Sequence, residues 1–283
     1  MPFKNLAIQR DLKINATTHD VFDFAKARED IRMKKEAGLP QDQWTTDSMF
    51  QQGRFNNIFR EDDKTSRMIF NEARRLTEYN QWRTIFISRY INRNDRLAKL
   101  YPFEKDLSSQ INRELNPKEA YTNSCAYQLH SGIGKIFGVK GAKDALHHID
   151  SVIPKTYSIL NTKSSIEELT YMVNSAFGGC INFLAFQAIL DWAQLNNHID
   201  VLESTPYTGI GASATETAIG MDATELAATQ PQLWPEAKRK MYPFDAENLM
   251  CEFRKYQKRT QEGIQSATSK YRPNFLGTES ESK

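Results

Sequence analysis

Helical periodicity runs along most of this chain and sustained strand alternation is scarce, which predicts a mainly α fold, a single compact multi-helix domain with few or no short strands. No linker clearly divides the 283 residues, and with 40% hydrophobic residues the chain can bury a sizeable core. Expected boundaries are an N-terminal helical arm and loop over about 1–45, a helical domain over about 46–262, and a tail over about 263–283 that ends in GTESESK and reads as partly disordered.

Helices are expected over about 19–37, 62–77, 80–92, 103–113, 140–149, 163–175, 179–195, 212–219 and 245–259. Asp20, the Ser164–Ser165 pair and Asp245 are candidate N-caps. An apolar stripe at four- and three-residue steps (Phe55, Phe59, Ser66, Ile69, Ala73, Leu76) supports the second helix, and Asp62 occupies the inward position that should continue it. The third has Trp82, Ile85, Phe86 and Tyr90 as its apolar side, interrupted by Arg89 with Arg93 a turn further on. A buried unpaired charge costs several kcal/mol, so these charges should meet each other or line a cleft for a polar ligand. The Tyr121–Leu129 stretch is the best place for a short extended segment, and Ser131–Gly134 reads as a turn.

A net charge of +2 does not announce a nucleic-acid binder, but eleven Lys or Arg face six Asp or Glu between Arg54 and Lys99, a local +5. That excess suits phosphate contacts and equally suits a solvated helix face of mixed charge. Cys125, Cys180 and Cys251 are far apart with no CxxC, which argues against disulfides and a zinc site and for a reducing cytoplasm. The first residues lack the apolar core of a signal peptide, and the most apolar window, 176–193, contains Asn182, Gln187 and Asp191, so no membrane association is expected. The glycines of SGIGKIFGVKGAK miss the P-loop spacing, because five residues after Gly132 and Gly134 stand Phe137 and Val139. His147–His148 has only Asp150 near metal-ligand spacing, and no G-x-S-x-G elbow or HExxH is present.

Three constellations remain. In RFNNIFREDD (54–63), Asn57, Arg60, Asp63 and Lys64 share a side if the segment is helical, with Asp62 inward and Arg67 following; a salt-bridge network would account for them as well as a site. The helix 178–192 is apolar nearly all round except for Gln187 and Asp191, an i, i+4 pair that must find partners. In ENLMCEFRKYQKR (247–259), Glu252 adjoins the stripe Leu249, Phe253, Tyr256 and stands either as a site carboxylate or as an ion-pair partner of Lys255 or Arg259.

The run FDFAKAREDIRMKKEAGLPQDQWTTDSMFQQGRFNNIFREDD resembles the opening of the helical proteins of phage thymidine hypermodification, which reads roughly RExIxxxKExGxPxPWTxDxxLxxxRFxNxxRExD. That group includes the helical domain of 5-hydroxymethyl-deoxyuridine DNA kinases and the alpha-glutamyl/putrescinyl-thymine pyrophosphorylases, or amino acid:DNA transferases. Later blocks agree in order: ISRYINR ending at Arg93, NFLAFQAILD (182–191) like FxAYQxxxD, TGIGA (208–212) like a GPGA turn, and ENLMCEFRKYQKR like xCEFxKYxR. The family's turn is commonly followed by Arg-Gly, whereas here Ala212 is followed by SATETAIG and the proline is missing.

The resemblance implies a fold related to the helix-hairpin-helix DNA glycosylases and a transferase. It would join an amino acid or amine to the 5-methylene of phosphorylated 5-hydroxymethyluracil in DNA, with loss of phosphate or pyrophosphate. Such a reaction needs a base to deprotonate the amine, cations around the leaving phosphates and extrusion of the target base. On that reading Arg60, Arg89 and Arg93 hold phosphate or DNA backbone, with Arg67 and Asn92 beside them. Asp62 or Asp63 orients the amine or acts as base, and Asp191 and Glu252 are second candidates. Asn57 and Gln187 read polar edges, while Arg54, Lys64, Lys255 and the Gly209–Gly211 turn contact the DNA backbone. No cofactor or protein-bound metal is called for, and a divalent cation is compatible with the phosphate chemistry. The implied partners are double-stranded DNA containing modified thymine, an amino acid or polyamine, and a separate P-loop DNA kinase, in the cytoplasm of a host if the chain is phage-encoded. A DNA glycosylase acting on a modified base and a non-catalytic DNA-binding partner of the kinase are the alternatives.

Overall fold

The computed structural model describes residues 14–115, 137–138, 141–162, 164–206 and 209–263. Fourteen α-helices and no strand are found among them. They are α1 (Thr18–Glu36), α2 (Ser48–Gln52), α3 (Lys64–Ala73), α4 (Glu78–Ile91), α5 (Asn94–Leu100), α6 (Leu107–Glu114) and α7 (Gly141–Leu160). These are followed by α8 (Ile166–Ala176), α9 (Asn182–Leu195), α10 (Ile199–Glu203), α11 (Ile210–Ile219), α12 (Ala223–Ala228), α13 (Gln230–Leu233) and α14 (Pro243–Glu262). The mainly α expectation holds. The expected extended segment at Tyr121–Leu129 and turn at Ser131–Gly134 lie outside the described residues, as does the tail beyond Gly263.

The described residues fall into two compact units, one containing those up to Ile58 and from Gly209 to Gly263, the other running from Phe59 to Pro206. In the first, α1, expected as an arm, buries Val21, Phe22, Phe24, Ala25 and Ile31. The Phe24 ring meets Phe50, Phe55, Phe253 and Tyr256 at centroid distances of 5.4–6.0 Å, joining α1, α2 and α14 in one aromatic core. In the second unit α4 and α9 are enclosed almost all round, from Gln81 to Ile91 and from Leu184 to Ala193.

Capping differs from expectation in a consistent way. Asp20 and Asp245 are not N-caps but stand three residues inside: Asp20 completes a capping box with Thr17, and Asp245 accepts the Tyr242 N–H at 3.1 Å, while Ser165 caps α8 as expected and pairs with Glu168. The expected helix 179–195 begins only at Asn182, because Gly178 and Gly179 adopt φ of +66° and +82°. The one expected over 140–149 continues through Pro154 to Leu160, since Ile149, Ile153, Thr156 and Leu160 keep its inner side buried.

The helical stripe beginning at Phe55 is a correction. Residues 54–59 are not helical, and α3 starts only at Lys64. Their backbone is held by side chains of the first unit instead: Arg28 donates to the carbonyls of Phe55 and Asn56 at 3.1 and 3.2 Å, Asn248 to those of Asn57 and Ile58 at 2.9 and 3.3 Å, and the Asn56 N–H donates to Glu252 at 3.0 Å. Backbone groups satisfied in this way do not need a helix. Phe55 and Ile58 are buried nonetheless, which is why the sequence pattern looked helical.

Candidate functional site

Four elements of the second unit converge on Asp191. This residue lies near the C-terminal end of α9 with its side chain fully enclosed. Arg89 from α4 donates to both carboxylate oxygens, through Nε to Oδ2 and through Nη2 to Oδ1 at 2.7 Å, and Nη2 also reaches the Ser66 hydroxyl of α3 at 2.7 Å. Arg60, from the short 3-10 turn Arg60–Asp62, donates through Nε to Asp191 Oδ1 at 3.0 Å and through Nη2 to the Gln187 carbonyl at 3.1 Å. Inward charges on separate helices therefore do meet, Arg89 of α4 with Asp191 of α9. Two guanidinium groups thus bond the one carboxylate of Asp191. The rim of the cluster is Arg60, whose side chain is 12% exposed against 4% for Arg89.

The remaining residues of the RFNNIFREDD segment do not share a helix face. Asp62, 10% exposed at its side chain, accepts from Arg67 at 3.2 Å, and Asp63 occupies the N-cap position of α3. Lys64 is exposed on the first turn of α3, while Glu61 accepts from Gln194 of α9 at 3.0 Å. Asn92 ends α4 in a left-handed conformation (φ +44°), with its N–H on the Ser88 carbonyl. Arg93 forms an ion pair with Asp95 at 2.7 Å.

Other proposed site residues belong to the first unit. Glu252 is 2% exposed, and both its oxygens are engaged, by the Asn56 backbone, by Asn56 Nδ2 at 3.1 Å and by Lys255. Asn57 contributes its carbonyl to Asn248, and exposed Arg54 offers its carbonyl to Arg259. Gly209 is the N-cap of α11, and its N–H donates to Glu247 Oε1 at 3.2 Å. Gly211 lies within α11, where a Cβ would stand 2.4 Å from the Cys251 sulfur, so that glycine serves close approach of α11 to α14.

Glu247 is the titratable group that sequence reasoning missed. Burial, with the carboxylates of Glu216 and Glu252 nearby, raises its carboxyl to about 7 despite the Gly209 N–H that works the other way. The only available signal was its position in the ENLMCEF block next to Glu252. Burial also pushes the neighbouring Cys251 thiol up to about 11. Among the described residues, no group of three or more His, Cys, Asp or Glu is arranged to hold a metal ion, and no helix is long and apolar enough to cross a membrane. Asp150, near His147 and His148, is instead held by Arg83 through bonds of 2.6 and 2.8 Å.

An all-helical domain with a buried arginine–aspartate cluster defines only a broad class of protein. The family is more specific: residues 15–222 match the family described as the 5-hmdU DNA kinase helical domain, and the chain belongs to that family. The match includes the whole Arg60–Arg89–Asp191 cluster and ends before α14, so Glu247 and Glu252 lie beyond it. No curated protein and no solved structure matches the chain. Membership places it in the context of thymidine hypermodification, with modified thymine in DNA as the substrate setting.

Proposed function

We propose that this chain is a transferase of that pathway, joining an amine to the 5-methylene carbon of phosphorylated 5-hydroxymethyluracil in DNA and releasing phosphate or pyrophosphate. The observation that carries the proposal is the pairing of two guanidiniums with one buried carboxylate: Arg89 and Arg60 both bond Asp191, and the Arg60 side chain is the more exposed of the two, at 12%. In this reading Arg60 holds the departing phosphate, Asp191 positions Arg60 and Arg89, and Asp62, tethered by Arg67, accepts the ammonium proton. In the same reading Glu252, which accepts from the Asn56 backbone and side chain and from Lys255, holds the 55–58 segment in place.

The test is incubation with DNA carrying 5-phosphomethyl- or pyrophosphomethyl-uracil and a panel of amino acids and polyamines, followed by mass analysis of the nucleosides. A heavier nucleoside, lost in Asp62→Asn, is the expected result; abasic sites would indicate a glycosylase. A second reading is a non-catalytic DNA-binding module working beside a kinase. It is favoured by the engagement of Asp191 and Glu252, and it predicts salt-sensitive binding with no product in any combination.

A further inference from the structure

Along α3 and the turn before it, cations and carboxylates are sorted by depth. Between Arg60 and Arg75 the exposed residues are Lys64, Arg67, Asn71, Arg74 and Arg75, four cations and an amide. The acidic residues of the same stretch, Glu61, Asp62, Asp63 and Glu72, all lie deeper: Glu61 accepts from Gln194 of α9, Asp62 from Arg67, and Glu72 stands 3.9 Å from Arg75.

Helix geometry puts the exposed residues on one side. At about 100° per residue they fall within an arc of about 100°, opposite the buried arc of Ser66, Ile69, Phe70 and Ala73. Arg74 keeps helical backbone angles (φ −58°, ψ −23°) and the Arg75 N–H bonds the Glu72 carbonyl at 3.2 Å, so both arginines continue the course of α3. From Lys64 to Arg75 the row is about 16 Å long.

This arrangement does not serve the helix itself. Lys64 is the first residue of α3, where the helix dipole favours an anion, and Arg67 three residues on repeats its charge. A solvated face of mixed charge would intersperse carboxylates, and here none is exposed. A row of outward guanidiniums, an ammonium and an amide suits a linear polyanion, and a nucleic-acid strand offers one phosphate per about 3.4 Å of its axis. The inner side of the same helix supports the buried cluster through Ser66, and the turn carrying Arg60 and Asp62 leads directly into it.

We propose that the outer side of α3 is a surface for the phosphodiester backbone of DNA, on which Lys64, Arg74 and Arg75 neutralise phosphates and Asn71 donates a hydrogen bond. This rests on the reading of the chain as one that acts on modified thymine in DNA. It adds Arg74 and Arg75, which neither the apolar pattern nor the family blocks single out, and it brings a strand lying along α3 past the Arg60–Asp62 turn.

The experiment is an anisotropy titration of the full chain with a labelled duplex at several salt concentrations. Backbone contacts carry no base information, so unmodified DNA is the probe. The logarithm of the parental binding constant is expected to fall linearly with that of the salt concentration. Each of Lys64→Gln, Arg74→Gln and Arg75→Gln should reduce the slope by about 1, and the triple variant by about 2–3. Arg67 is left in place because it holds Asp62. A control triple, Lys105→Gln, Lys155→Gln and Lys238→Gln, removes the same charge from exposed positions elsewhere and should keep the parental slope. No parental affinity for DNA, an unchanged slope in the α3 triple variant, or an equal loss in the control overturns the proposal. Binding is read without transfer: a protein that makes the heavier nucleoside but whose slope ignores α3 refutes only this surface, and one that binds through α3 but makes no product refutes only the transferase reading.

Discussion

Arg89 and Asp191, 102 residues apart in the chain, are joined by two hydrogen bonds inside the second unit, where both side chains are buried. Neither tolerates loss of the other, because an uncompensated buried charge remains. Asp191→Ala should therefore cost about 3–5 kcal/mol in urea unfolding. The double replacement Arg89→Met with Asp191→Leu should cost clearly less than the sum of the single changes, and an additive result would refute this coupling.

The non-helical strap at 54–58 depends on α14. Asn248→Ala removes the donor to the Asn57 and Ile58 carbonyls, and a loss of about 1–2 kcal/mol is expected. Hydrogen exchange at the Asn56 amide should rise in Glu252→Ala, which removes its acceptor. Protection equal to the parental level would show that the strap is held otherwise.

Gly211 is a packing residue. Gly211→Ala places a methyl 2.4 Å from the Cys251 sulfur and 3.4 Å from its Cβ, so about 1–3 kcal/mol of destabilisation is expected. Adding Cys251→Ala should restore most of it, since only the sulfur overlaps severely. Thermal melting of the two single variants and the double variant measures the recovery.

Glu247 gives the first unit a pH dependence of definite sign. Its folded pKa of about 7 exceeds the ordinary value of 4.5, so the folded state retains a proton that the unfolded state has released. The contribution is full below about pH 4.5 and is lost as pH rises through about 7. The groups facing it are the Gly209 N–H and the carboxylates of Glu216 and Glu252. Glu247→Gln keeps an acceptor for Gly209 and removes the charge. It should stabilise the protein at pH 8 by on the order of 2 kcal/mol and have little effect at pH 4.5. Equal urea midpoints for the two proteins at pH 8 would contradict this.

Much of the architecture was legible because helix formation is local. The buried faces of α4 and α9 follow from apolar side chains at short spacings, and the Ser165–Glu168 cap follows from four adjacent residues. The site was less legible. Gln187 and Asp191 were readable as a polar pair needing partners, but the identity of those partners was not.

The sequence by itself determined the helical class, most of the helices and the family, all of which depend on short-range periodicity and ordered blocks of residues. Tertiary structure decided that Phe55–Phe59 is a strap and not a helix, and that Asp191 belongs to Arg89 and Arg60 while Asp62 belongs to Arg67. The physical reason is the same in both cases. A backbone carbonyl or a buried charge takes whichever donor the folded chain brings within about 3 Å, and those donors, Arg28, Asn248 and Arg89, lie far away in sequence.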